Sequence, residues 1–190
     1  MNIEISEIAN LPTTYGMFQI QSFKEGEKEH LVIMKKPFLD DVVNIRIHSE
    51  CITGDTLHSL KCDCGEQLKK SLEYIEKNSG MVLYLRQEGR NIGLLNKINA
   101  YALQDKGLDT IEANHQLGFE ADERTYEIVD FILNHYGIKK VSLLTNNPEK
   151  LKSLKCEIVK RVPIVIKPNK YNSDYLKIKQ QQMGHMLDEQ

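Results

Sequence analysis

The sequence predicts an α/β fold: a single layered domain, residues 1–190, with a mixed β-sheet flanked by helices. Three observations carry that prediction. The first fifty residues are rich in β-branched and aromatic side chains. From residue 65 onward, helical and strand periods alternate. No linker, internal repeat or low-complexity tract divides the chain, whose length suits one hydrophobic core. A composition of 41% hydrophobic and 27% charged residues is that of a globular protein rather than a disordered one.

The segments GMFQIQSF, HLVIMKK and VVNIRIHS read as strands, separated by the turn-forming GEKE and KPFLDD. In GEQLKKSLEYIEKN, Leu68, Leu72 and Ile75 recur at i, i+4 and i+7, so this segment predicts a helix with one apolar face, closed near Gly80. MVLYL (81–85) is the continuous apolar run of a buried strand. The loop RQEGRNIG and a helix over LLNKINAYALQDK, ended by Gly107, follow it. TYEIVDFILNHY predicts a helix ending at Gly137, and KKVSLLT a strand. In NNPEKLKSL, Asn147 is placed to cap a short helix, with Pro148 at its first position. EIVKRVPIVI is the last strand, and the tail from Lys167 is polar and expected to lie on the surface.

Charge and hydropathy narrow the function. A formal net charge of -2 supplies no field for polyanions, and no basic stripe is evident, so no nucleic-acid partner is expected. No run of eighteen apolar residues and no signal-like N-terminus occurs, so no membrane role is expected and the cytoplasm is the expected location. A phosphorylated small molecule needs only a few cations in one cleft.

Three of the four cysteines, Cys51, Cys62 and Cys64, fall within fourteen residues, which in a cytosolic chain favours metal over disulfide. Zinc suits soft thiolate ligands. Three protein ligands leave a catalytic zinc one position for water, whereas a fourth ligand, here His48 or His58, would close a structural site; the spacing alone leaves both open. Three thiolates also place negative charge on the metal, which neighbouring groups must offset. Cys156 stands alone, as a packed thiol does. By spacing alone, Asp122 reads as a cap for the helix after it, Tyr101 as a tyrosine at the core edge, and Arg90 as a partner of Glu88.

The segments RIHSECITGD, SLKCDCGEQL, RQEGRNIGLLNKINAYALQDKG, DTIEANHQLGFEADER and LLTNNPEK occur in that order, and together they resemble the GTP cyclohydrolase II family in its standalone form. The resemblance runs from LPTTYG through VKRVPIVI to MGHML; the link LKSLKCEIV is compressed relative to the family's pattern. It implies a catalytic zinc on Cys51, Cys62 and Cys64, with magnesium on the substrate's triphosphate, and a homodimer. It also implies that GTP is hydrolysed to a diaminopyrimidine ribosyl phosphate, formate and pyrophosphate, at the head of riboflavin biosynthesis. The positions it assigns to the nucleotide are Arg46, Ile47, His48, Ser49, Glu50, Gln67, Glu88, Gly89, Arg90, Thr110, Thr145 and Lys150. Glu88 or Glu50 would accept from the guanine edge. Asp122 and Arg124 match the family's base and nucleophile, the arginine serving either as a covalent nucleophile or as a stabiliser of departing pyrophosphate. Tyr101 is placed near the reacting purine carbon. Two alternatives remain: a zinc-stabilised GTP-binding module without turnover, and a cyclohydrolase that stops at the ring-opened formamide.

Overall fold

Alternating side chains along the central strands need cover on both faces, and the chain supplies it. A computed structural model describes residues 2–38, 40–120 and 122–187. Among these, eight strands form one mixed sheet: β1 (Ile3–Ile5), β2 (Ala9–Thr13), β3 (Gly16–Glu25), β4 (Lys28–Lys35), β5 (Val42–Ser49), β6 (Gly80–Leu85), β7 (Lys140–Leu144) and β8 (Glu157–Val162). Their order is β1-β3-β4-β6-β5-β7-β8, with β2 also paired to β3. The first four strands make antiparallel pairs, and β4 joins β6 antiparallel; β6, β5, β7 and β8 run parallel.

The helices are α1 (Ile52–Asp55), α2 (Cys64–Asn78), α3 (Gly93–Gln104), α4 (Thr110–Gln116), α5 (Glu127–His135), α6 (Pro148–Lys152) and α7 (Ser173–Gln181). On β6, Met81, Leu83 and Leu85 join a core with Phe23, Ile45, Ile47 and the α5 residues Ile128, Val129, Ile132 and Leu133. Val82, between them, turns to the other face and packs with Phe18 and Ile75 of α2, against which Leu68 and Leu72 also lie. The apolar face expected of α2 is thus the one it buries. Gly80 makes the corner from α2 into β6: its φ is +128°, and a Cβ there would sit 2.2 Å from the carbonyl of Asn44. Asn147 caps α6 by accepting from the Glu149 N–H, with Pro148 following, as expected.

The structure departs from the sequence reading in several places. β1 and β2 are short strands ahead of the first one expected, and they form because β3 offers them an edge. α1 and α4 were also not expected. The last strand stops at Val162, where Pro163 supplies no N–H to the ladder. The tail expected to lie on the surface instead contains α7, with Leu176, Lys179 and the preceding Asn172 buried. Lys179 reaches the buried Asp63 and Asn172 accepts from the Asn169 N–H, so at these positions polarity did not mean exposure.

The topology also places the site. β6 lies on one side of β5 and β7 on the other, so the chain leaves the carboxyl ends of these parallel strands in diverging directions and opens a crevice there.

Candidate active site

Cys51 follows directly on β5, and Cys62 and Cys64 bring the loop back to the start of α2. The three sulfurs lie within 4.8 Å of one another, Cys51 and Cys62 at 3.7 Å. Zinc–sulfur bonds of about 2.3 Å at tetrahedral angles put sulfurs about 3.8 Å apart, so the trio fits that ion. Gly54 permits the arrangement: a Cβ there would stand 2.9 Å from the Cys62 sulfur and 3.3 Å from that of Cys51. Neither His48 nor His58 belongs to the group, so among the described residues the four-ligand alternative finds no fourth protein ligand. Three thiols this close cannot all ionise on their own. The Cys62 and Cys64 thiols hydrogen-bond to Cys51, which holds Cys51 far below its usual range, while Cys62 is pushed up to about 11 and Cys64 is raised well above its ordinary value. A dication between them would stabilise all three thiolates together.

Two groups of residues hold Cys51. Its N–H donates to Asp55 Oδ2 (3.0 Å), and the Asp55 carboxylate also receives the Tyr84 hydroxyl (2.8 Å) and faces His48 Nε2 (3.0 Å). His48 is buried, which lowers its pKa and keeps the ring neutral; with Nε2–H on Asp55, Nδ1 is left as an acceptor. On the other side, Lys97 donates from Nζ to the Cys51 sulfur (3.1 Å) and to Glu88 Oε1 (2.7 Å). Burial opposes the ammonium, but the Cys51 charge and Glu88 outweigh it and hold Lys97 protonated.

From this centre a cleft extends over the strand ends. Among the described residues its lining contains Arg46, Arg90, Lys97, Arg124, Lys150 and Lys179 against the two acids Glu50 and Glu88. Lys150 is buried and donates to the Ile47 carbonyl (2.8 Å); burial, then Arg46 and Arg124, push its pKa well down. Cations that depress one another in this way are favoured by a polyanion. Arg124 makes a bidentate pair with Asp122, Nε to Oδ1 at 2.8 Å and Nη2 to Oδ2, while Nη1 reaches Ser49 Oγ (3.5 Å). Burial opposes the Arg124 charge, but Asp122 prevails and raises its pKa.

A family model described as GTP cyclohydrolase II matches residues 4–163. The chain belongs to the GTP cyclohydrolase II family. It is 68% identical over 190 residues to the GTP cyclohydrolase-2 of Campylobacter hominis, covering 100% of this chain and 98% of that one. The corresponding figure for Campylobacter fetus subsp. fetus is 69% over 193 residues, with the same coverage. For Helicobacter pylori (strain Shi470) it is 53% over 190 residues, covering 97% of this chain and 98% of the relative. A solved structure of RibBX, a two-domain 3,4-dihydroxy-2-butanone 4-phosphate synthase from A. baumannii, aligns with 87% of this chain and 40% of its own, at 18% identity and a TM-score of 0.49.

Of the positions that the sequence analysis assigned to this GTP cyclohydrolase II family member, all but Ile47 and Asp122 line the cleft. Ile47 turns its side chain into the core, 0% exposed, because Arg46 and His48 beside it take the cleft face of β5; only its carbonyl is used, by Lys150. Asp122 is placed by its pairing with Arg124, and it does not cap α5, whose N-cap position is Tyr126. Glu88 is committed to structure, with Oε2 on the Ile52 N–H (2.6 Å) and Oε1 on Gly89 N–H and Lys97. It is therefore tied to the cysteine loop and to Lys97, its ion-pair partner. Glu50 takes Arg86 on one oxygen (2.9 Å). Thr110 begins α4 and Thr145 follows β7, its hydroxyl accepting from the Asn147 N–H. Tyr101 sits on the cleft wall, its hydroxyl 3.4 Å from Thr53 Oγ1; burial pushes its pKa up to about 12, so the phenol keeps its proton.

Sequence reasoning missed Asp55, Tyr84, Lys97, Asp63, Tyr175 and Lys179. Lys97 carried a signal, being four residues before Tyr101 on one helix. The others did not.

Proposed function

We propose that this protein hydrolyses GTP to 2,5-diamino-6-(5-phosphoribosylamino)pyrimidin-4-one, formate and pyrophosphate, the first step of riboflavin biosynthesis. The observation that carries the reading is that one cleft joins a three-cysteine centre to a cluster of buried cations. Cys51, Cys62 and Cys64 would hold a zinc ion, which would supply the Lewis acid that opening a purine ring at carbon 8 and freeing formate require. Lys97, on the Cys51 sulfur, offsets part of the negative charge that three thiolates bring.

Arg124, Lys150 and Arg46 receive the triphosphate, which arrives with magnesium. Arg124 stabilises charge as pyrophosphate departs; its tight pairing with Asp122 keeps the guanidinium protonated and favours this role over that of a covalent nucleophile. Glu50, rather than the committed Glu88, accepts from the guanine edge. His48 Nδ1 offers a buried acceptor beside Ser49, and Gln67, Gly89, Arg90, Thr110 and Thr145 complete the nucleotide's surroundings. Tyr101, protonated and rigid, orients the formyl intermediate or the second water. A homodimer working in the cytoplasm completes the proposal; among the described residues no helix is long and apolar enough to cross a membrane.

The test is to incubate zinc-loaded protein with GTP and magnesium and to assay formate, pyrophosphate and product mass together. All three products support the reading. GTP binding without formate would make the protein a binding module, and a product that retains the formyl group would make it an enzyme that stops at ring opening.

A further inference from the structure

One wall of the cleft is built by a stretch that the family match, ending at residue 163, does not reach. Tyr175 and Lys179 of α7, with Met183 and His185 of the turn after it, line the cleft. Three of the ties that hold the stretch bear on the site. Asn169 Nδ2 donates to the carbonyl of Leu60, in the loop between Cys51 and Cys62 (3.3 Å). The Met186 N–H donates to the carbonyl of Asn146, next to Thr145 (2.9 Å). Lys179 Nζ donates to Asp63 Oδ1 (2.7 Å), and Asp63 stands between two of the metal-binding cysteines.

The third tie continues inward. Asp63 Oδ2 accepts from Gln67 Nε2 (2.6 Å), and Gln67 Oε1 accepts from Arg46 Nη2 (2.5 Å). An amide can point either way, and here both ends are specified: its N–H faces a carboxylate and its oxygen faces a guanidinium. The Lys179 and Asp63 side chains are only 10% and 2% exposed, so this is a desolvated ion pair whose disruption leaves a buried carboxylate uncompensated. The charge of that carboxylate also acts on Arg46.

Resting on the reading of the cleft as a GTP site, we propose that α7 completes that site and that Lys179 is a positioning residue, fixing Gln67 and Arg46 through Asp63 while Tyr175 walls the nucleotide. Lys179 neutralises Asp63, so Arg46 keeps its place on the cleft face and Gln67 keeps its orientation. The ring of Tyr175 lies under the Lys179 ammonium at 4.5 Å, which sets the phenol against the cleft. A segment of polar sequence thereby becomes part of substrate recognition.

The experiment is steady-state kinetics of formate release from GTP by the full-length, zinc-loaded chain, with zinc content and thermal unfolding measured alongside. Lys179→Met is expected to raise KM for GTP by roughly ten- to a hundredfold, the range for a lost charged hydrogen bond. Its kcat should stay within about threefold and zinc content should not change, since the change falls on binding rather than on the reacting atoms. Lys179→Arg should recover most of the loss. In an Asp63→Asn background, Lys179→Met should add little, because the residue acts through Asp63. An unchanged KM in Lys179→Met overturns the proposal. So does an effect of equal size in the Asp63→Asn background, or a parallel fall in kcat, zinc content and unfolding temperature. Should Lys179→Met not fold, Tyr175→Leu, which leaves the ion pair in place, must raise KM, and an unchanged KM is again the overturning result. If the wild-type chain releases no formate, the functional reading fails separately. Equilibrium dialysis with GTP then decides for α7: weaker binding by the variant supports its role, and equal binding refutes it.

Discussion

Gly54 offers a substitution on which secondary structure and site geometry disagree. It lies in α1 with an ordinary backbone, so alanine there should favour the helix by about 1 kcal/mol. The added methyl, however, would stand 2.9 Å from the Cys62 sulfur, 3.1 Å from the Cys64 Cβ and 3.3 Å from the Cys51 sulfur. Overpacking of this kind costs about 1 to 3 kcal/mol. The metal-free chain can relieve it by letting the sulfurs spread from their 3.7 Å separation, but a chain holding zinc cannot. The cost therefore falls on the metal-bound state, and Gly54→Ala should weaken zinc binding by roughly five- to 150-fold, at about 1.4 kcal/mol per tenfold. Metal-free stability should hold or rise. Competition against a chromophoric chelator measures the first quantity, and thermal unfolding of the metal-free protein the second. Zinc affinity equal to wild type would show that the sulfurs do not converge around Gly54 as described, and the assignment of the centre would fall with it.

Cys62→Ser should lose zinc and ring opening together, because a serine hydroxyl stays protonated where a thiolate is needed; metal content and formate report both, and full occupancy with normal formate would contradict the three-thiolate centre. Arg124→Lys should sharply reduce pyrophosphate release with zinc still bound, since lysine cannot reproduce the bidentate pairing with Asp122; unchanged turnover would remove Arg124 from the chemistry. Tyr101→Phe should fold and bind zinc but slow formate release on the order of 10²-fold, with the formamide visible by mass spectrometry; the same product at the same rate would make the tyrosine packing. Burial alone would raise the Asp122 pKa, but its bonds to Arg124 win and hold it below the ordinary 3.8, so the folded state binds fewer protons there than the unfolded chain. Stability from this pair is thus present above about pH 4 and lost as pH falls through the lower folded value. Asp122→Asn should flatten that acid limb in unfolding temperatures measured down to about pH 3, and an unaltered slope would show that the pair carries no such stability.

The sequence by itself determined the elements whose periods are long and regular, and the cysteine trio. Leu68, Leu72 and Ile75 named the buried face of α2, and MVLYL named a central strand, because burial leaves its period in the side chains. Cys51, Cys62 and Cys64 were legible as a group because they are close in sequence and chemically alike. The segment around Thr110 held a readable signal that was passed over: Asp109 and Glu112 form a capping box at the start of α4.

Only the tertiary structure decided which side chains meet across long separations. Lys179 and Asp63 are 116 residues apart, Lys150 and the Ile47 carbonyl 103, and Lys97 and Cys51 46. No local pattern encodes such pairs, since each lysine reads alone as a solvated charge, and it is the parallel strand ends and the docking of α7 that bring the partners together. Likewise only the fold shows that the Ile47 side chain joins the core and that Glu88 accepts from the Ile52 and Gly89 N–H groups and from Lys97. Periodicity records what a single element buries, whereas the charges of a site acquire their partners only when distant elements pack.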